Sequence, residues 1–485
     1  MSPPRLSLAA RACVALSLCA TALAACSTAS EDRADLSEEL SGGDGPFIAS
    51  VGGVAVPEGY ELHEYLATGT ATAYAAGDGG LSNDGVWTLS RTTSAEYRTR
   101  IVVRRPVDPA AASGVVIVEW LNVSGGVDAD PEYMTLVEEI ARQGHIWVGV
   151  SAQLIGVEGG PVLVSTGIMD ERAGVGLKVI DPERYGTLTH PGDGYAFDIY
   201  TQIARALRRG GRVLGGVRPS LLIAAGESQS AMALTTYYNG VQGTEQVFDG
   251  FFVHSRGGFT LGLVGPGESA DIGRAIFSRG RPVFRADVEA PVMNIQTEGD
   301  IYTVLSSWQA RQPDSDTFRL WEIAGTAHAD QHLLGEAASL IDCGQPVNDG
   351  PTHLVAKAAL RALVAWLSDG TAPPTADRVE LDQSGTATAA LRDADGIALG
   401  GIRTPLVDVP VDILSGVPAS SSVICMLMGS TTPLSDERIA ELYSSRAEYE
   451  RLYEASAQDA IAAGFVLEDD HAALTAYAQP ARVAP

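Results

Sequence analysis

Hydrophobic and polar positions follow two different regimes along the chain. Before residue 106 they alternate, as in Tyr97-Arg98-Thr99-Arg100-Ile101-Val102-Val103. Alternation marks strands with one solvated face, and it predicts an antiparallel edge built from residues 59–74 and 87–105. Beyond residue 114 the apolar residues come in short unbroken runs: Val115 to Trp120, Ile146 to Ser151, Leu221 to Ala225, Phe248 to His254, Ala290 to Gln296 and Phe318 to Ile323. Unbroken runs belong to strands covered on both faces. Helical spacing fills the gaps between them: Pro131 to Gln143 stopped by Gly144, Tyr195 to Arg209, Ser228 to about Tyr238, and His353 to Leu367 stopped by Gly370 and Pro373. Strands and helices in alternation predict an α/β fold with a mainly parallel central sheet flanked by helices.

Three regions lack this rhythm. Residues 154–192 are Gly-rich without a period, and 255–289 are similarly irregular. Both read as cap insertions over a pocket. Residues 371–485 read as a C-terminal extension on the same core, Pro/Gly-rich to Ser430 and largely helical from Ser435 to Ala478. At the other end, Arg5 and Arg11 precede an apolar run from Ala12 to Ala25. The run is too short to span a bilayer and reads as an export signal over 1–25. It closes on Leu23-Ala24-Ala25-Cys26, which resembles a lipoprotein cleavage site with Cys26 as the lipidated residue. Residues 26–46 are Ser-, Asp-, Glu- and Gly-rich and read as a disordered acidic tether. The folded domain is then expected over 47–485.

Composition narrows the partners. The 485 residues carry 60 acidic and 33 basic side chains, a formal charge of −27. Such a surface repels phosphate backbones, so nucleic acid is excluded as a partner. With Cys26 lipidated, the exported chain keeps Cys343 and Cys425, a disulfide pair in an oxidising compartment.

Candidate chemistry gathers at strand ends. Leu221 to Ala225 runs into Gly226-Glu227-Ser228-Gln229-Ser230, a strand, a sharp turn and a helix with Ser228 at the apex. A serine needs a base, and the base needs an orienting acid. Thr297-Glu298-Gly299-Asp300 follows the next-to-last strand, offering Asp300 as the acid and Glu298 as the alternative. Ala324-Gly325-Thr326-Ala327-His328 follows the last strand, offering His328 as the base. A tetrahedral oxyanion needs fixed N–H donors. The backbone of Gln229 and, from the loop after Trp120, those of Asn122 and Val123 are the candidates. His254, at a strand end, and His190, in Thr189-His190-Pro191-Gly192-Asp193, are candidate pocket residues. His328 and His332 lie four apart with only Asp330 nearby, so no metal site is expected.

Several stretches together resemble a bacterial family of α/β-hydrolase-domain proteins, mostly exported. They are Tyr97-Arg98-Thr99-Arg100, Val118 to Gly126, Val148 to Gln153, His190-Pro191-Gly192-Asp193, Gly226 to Ser230, His254-Ser255-Arg256-Gly257 and Asn348-Asp349-Gly350-Pro351. The resemblance covers nearly all of the chain from about residue 48. It implies an α/β-hydrolase fold and supports Ser228 and His328, but supplies no substrate. The expected function is an exported serine hydrolase acting on a small-molecule carboxylic ester through an acyl-enzyme, with no cofactor. Its expected place is the cell envelope, held to a membrane through Cys26, or secreted. The alternatives are an amide or peptide hydrolase with the same triad, and an inactive surface binding lipoprotein.

Overall fold

The computed structural model describes residues 33–49, 55–164, 171–385, 387–418, 422 and 424–485. The expected signal and Cys26 lie outside these residues. Eight strands form one sheet: β1 (Tyr60–Ala76), β2 (Leu89–Pro106), β3 (Val115–Trp120), β4 (Ile146–Val150), β5 (Leu221–Glu227), β6 (Gly250–His254), β7 (Val292–Thr297) and β8 (Phe318–Ile323). Their order is β1-β2-β4-β3-β5-β6-β7-β8. β1, β2 and β4 are joined antiparallel, and every pair from β4 to β8 is parallel.

The unbroken apolar runs are explained by the two layers they serve. Side chains alternate across a strand. Val116, Val118 and Trp120 of β3 therefore join Leu222 and Ala224 of β5 in one core, under α2 (Ala196–Arg208) and α3 (Gln229–Tyr237). Val115 and Ile117 join Ile223 and Ala225 in the other, under α1 (Pro131–Gln143) and α4 (Thr352–Asp369). Ala457 and Ala460 of α5 (Arg446–Ala462) complete that second core.

Both free edges of the sheet are covered, as soluble sheets require. At the β8 side, Ile323 forms a parallel bridge to Ile402 of the C-terminal extension. The extension also ties back through the Cys343–Cys425 disulfide, whose Cα atoms lie 5.6 Å apart. At the β1 side the cover comes from the segment expected to be a tether. Asp35 and Glu39 form bridges to Thr68 and Tyr65, and Leu36 and Leu40 are buried. Arg184 fixes this segment by donating to the carbonyls of Leu40 and Gly42. The expectation of disorder over 26–46 is therefore corrected for residues 33–46. Two buried leucines in an acidic stretch suffice when an edge strand supplies the hydrogen bonds.

Candidate active site

β5 carries the apex serine to the C-terminal end of the sheet. Ser228 has φ 60° and ψ −119°, a conformation that L-residues rarely adopt and that is kept where surrounding contacts enforce it. Its N–H donates to the His254 carbonyl at 3.0 Å and its carbonyl accepts from Met232 N–H at 3.1 Å. The small neighbours are steric necessities. A Cβ on Gly226 would lie 2.9 Å from the Cβ of Ser230 and 3.2 Å from Leu234. Residue 230 is fully buried in that contact, so it must be small but need not be glycine.

Two further strand ends converge on this point. His328 Nε2 lies 2.8 Å from Ser228 Oγ, and His328 Nδ1 lies 2.7 Å from Asp300 Oδ1. Asp300 is the third residue of the helical turn Glu298–Tyr302 and forms a capping box with Thr297. Its Oδ2 accepts from Thr297 N–H and from Ser255 Oγ–H, each at 2.7 Å. One carboxylate oxygen is thus fixed by the fold while the other faces the imidazole. Burial pushes Asp300 upward, but the His328 charge and the hydrogen bonds from His328, Ser255 and Thr297 outweigh it and hold the carboxyl below its usual range. Burial alone lowers His328; Glu227 and Asp300 reverse this and raise it.

Glu298, the alternative acid, is engaged elsewhere. It accepts from Arg392, Tyr302, Gly325 N–H and Gly416 N–H, and so fastens the C-terminal extension to the sheet. The Thr297-x-x-Asp300 capping pattern was the sequence signal that separates the two.

The expected oxyanion donors differ in availability. Gln229 opens α3, so its N–H has no intrahelical acceptor. Val123 N–H donates to the Gln229 side chain at 3.2 Å, and Asn122 N–H to the Ala129 carbonyl at 2.9 Å. The Asn122 amide is therefore committed to closing its own loop, which removes it as a donor. Its side chain instead donates to the Glu227 carbonyl at 3.1 Å and braces the elbow.

The other histidines are not pocket residues. His190 is buried, with Nε2 2.9 Å from the Ala152 carbonyl and Nδ1 accepting from Gly192 N–H. The expectation that it lines the pocket is corrected, because both ring nitrogens serve loop closure. His254 lies one layer behind: its Nδ1 is 3.3 Å from Glu132 Oε2, and it touches the site through its backbone. Burial opposes its protonation, but Glu132 and Glu227 raise it to about 9. His332 stacks on His353 with centroids 3.6 Å apart, and among the described residues no cluster is arranged to hold a metal ion.

The pocket above Ser228 has a volume of about 180 Å³. Its wall is largely apolar, with Val127, Met134, Leu333, Leu334, Leu427 and Met428. Val164 and Ala173 come from the first cap candidate, but none of residues 255–289 takes part. The second cap expectation is corrected: that segment packs on the α3 side, where Phe284 meets Tyr238 and Phe318. The extension supplies Leu427 and Met428 instead. Sequence reasoning also passed over Ser255, Glu132 and the pocket carboxyl Glu227.

A serine elbow, a histidine and an acid at successive ends of a parallel sheet define the class of α/β hydrolases. The chain belongs to the family described as alpha/beta hydrolase domain, whose model matches residues 34–476. No curated protein matches it. Among solved structures it is similar to the rice cell wall degrading esterase LipA from Xanthomonas oryzae, at 15% identity over 46% of this chain and 50% of that one, with a TM-score of 0.23. It is similar to a putative dienelactone hydrolase from Klebsiella pneumoniae, at 13% identity over 63% and 99%, with a TM-score of 0.30. Acetyl xylan esterase 1 from Thermoanaerobacterium is similar at 12% identity over 46% and 53%, with a TM-score of 0.23. The chain thus spans about half the length of LipA and of the acetyl xylan esterase. Likenesses of this size carry no argument about activity.

Proposed function

We propose that this protein is a serine hydrolase of small carboxylic esters, with Ser228 as nucleophile, His328 as base and Asp300 as its orienting acid. The observation that carries the reading is the continuous chain Ser228 Oγ, His328 Nε2, His328 Nδ1, Asp300 Oδ1, with steps of 2.8 and 2.7 Å. Ser228 Oγ attacks the carbonyl carbon as His328 Nε2 takes its proton. The tetrahedral oxyanion accepts from Gln229 N–H, and from Val123 N–H once the Gln229 side chain yields. The carbon–oxygen bond to the alcohol then breaks as His328 returns the proton to the leaving oxygen. Water, activated by the same imidazole, cleaves the acyl-enzyme and frees Ser228. Asp300 stays ionised and stabilises the imidazolium, as its depressed pKa requires.

A fluorophosphonate probe is expected to label the wild type and not Ser228→Ala, and a panel of short-chain esters is expected to be turned over faster than the matched amides. Absence of labelling refutes the reading; amides cleaved as fast as esters reassign the substrate class. Export with a lipid anchor at Cys26 is part of the proposal. Palmitate incorporation in the producing cell, lost in Cys26→Ala, is its test, and an unlabelled wild type overturns the anchor.

A further inference from the structure

One charged group in the pocket has no part in these steps. Glu227 precedes the nucleophile, and its carboxyl lies among the apolar wall residues with its side chain 6% exposed. Its Oε1 is buried and makes no hydrogen bond among the described residues. That oxygen lies 3.3 Å from His328 Nε2, the nitrogen that also faces Ser228 Oγ. A carboxylate kept for structural reasons is normally saturated with donors, because burying an unpaired one is costly. Glu298 and Asp300 follow that rule; Glu227 does not, nor does Glu132, which lies outside the pocket lining and faces His254 Nδ1 at 3.3 Å.

Nor is its charge matched from behind. The groups facing it are His328, His254, Glu132 and Asp300. His254 pairs with Glu132 and His328 with Asp300. Glu227 is the carboxyl left over; burial raises it to about 7, and a cationic N–H group brought against its unpartnered oxygen would hold it in its charged form. Its position says where the donor belongs: His328 Nε2 delivers the proton to the leaving oxygen, so a group beside that nitrogen lies on the alcohol side of the scissile bond.

We propose that Glu227 is a specificity-determining residue that receives a cationic N–H group on the alcohol part of the substrate, making esters of small amino alcohols the preferred class. The proposal rests on the ester-hydrolase reading above. The apolar wall accommodates the acyl group and the carbon skeleton, and the bulk charge of −27 further favours cationic over anionic substrates.

Dimethylaminoethyl butanoate and isopentyl butanoate test it, since they share one skeleton with N⁺–H in place of C–H. Each kcat/KM is divided by the hydroxide-catalysed rate of the same ester, at a pH where the amine is protonated. The wild type is expected to prefer the aminoester by about tenfold or more, the scale of one charge-assisted hydrogen bond. In Glu227→Gln the ratio falls to about one, and in Glu227→Asp it is intermediate. Because the residue also touches His328, both variants lose absolute rate, and the ratio within each enzyme cancels that loss. Fluorophosphonate labelling of Ser228 certifies that each variant is folded. A labelled wild type without preference overturns the specificity proposal alone, as does a preference that survives in Glu227→Gln. A wild type that is neither labelled nor active on either ester overturns the ester-hydrolase reading and this one with it.

Discussion

Replacing both disulfide cysteines separates two roles that the bridge could play. Cys343 and Cys425 are 82 residues apart in sequence. Closing a loop of that length removes about 4.5 kcal/mol of chain entropy from the unfolded state in the loop-closure model. Unfolding about 440 ordered residues carries about 0.9 kcal/mol/K of entropy, so Cys343→Ala/Cys425→Ala is expected to lower Tm by about 5 °C. The bridge also sits beside the pocket wall: Leu333 and Leu334 precede Cys343, and Leu427 and Met428 follow Cys425. Yet the wall has its own staples, Ala329 N–H to the Leu427 carbonyl at 2.9 Å and Asn348 N–H to the Met428 carbonyl at 3.0 Å. The native pocket should therefore survive the loss of the bridge, with kcat/KM at 25 °C within about twofold of wild type. Differential scanning calorimetry, with and without reductant, and initial rates on one ester decide the matter. A rise in KM with unchanged Tm would refute the reasoning, because it would place the work of the bridge in the folded wall.

Three further outcomes follow from the site. Asp300→Asn is expected to reduce kcat by about 10⁴, the scale for an orienting acid that can no longer favour the working tautomer. Glu298→Gln instead costs about 3 kcal/mol of stability by unpairing Arg392, with kcat largely kept; equal kcat for Asp300→Asn and wild type would exchange the two roles. As the proposed base, His328 must be neutral to act, and Glu227 and Asp300 raise it despite burial, so the acid limb of the kcat/KM–pH profile is expected above the ordinary histidine value of about 6.5. Removing the Glu227 charge in Glu227→Gln moves that limb to lower pH, and a limb that stays in place denies the coupling. Stability depends on pH through the same groups. His254, opposed by burial but raised to about 9 by Glu132 and Glu227, contributes stability that is fully present below about 6.5 and lost as pH rises through 9. Glu227, raised by burial to about 7, binds its proton more tightly when folded, so its contribution is present below about 4.5 and lost by pH 7. The Tm difference between wild type and Glu227→Gln is therefore expected to shift against the wild type as pH rises from about 5 to about 9; a difference that shifts in its favour contradicts the assignment.

The sequence revealed those features whose physics is local. Unbroken apolar runs need two covering layers wherever they occur, so the strands β3 to β8 and their helices could be placed without contacts. The elbow was legible because its turn restricts residue size at both 226 and 230. The candidate acid was legible from its place just past the end of β7, three residues after Thr297. What stayed hidden depends on residues far apart. The segment around Leu36 and Leu40 looks like a polar tether until an edge strand offers hydrogen bonds to the backbone of Asp35, Glu38 and Leu40. Leu427 and Met428 reach the pocket through two backbone bonds to residues far earlier in the chain, Ala329 and Asn348.

Glu227 is the instructive case. Within its pentapeptide it is a neutral position, since the turn constrains its neighbours and leaves its side chain undetermined. Its character comes from Glu132 at the start of α1, which claims His254, and from Asp300 after β7, which claims His328. With Asp300 holding His328 and Glu132 facing His254, an otherwise ordinary carboxyl keeps an oxygen with no hydrogen bond among the described residues. The motif thus specifies where the nucleophile stands, whereas the charge balance assembled from three distant segments specifies what that nucleophile is offered.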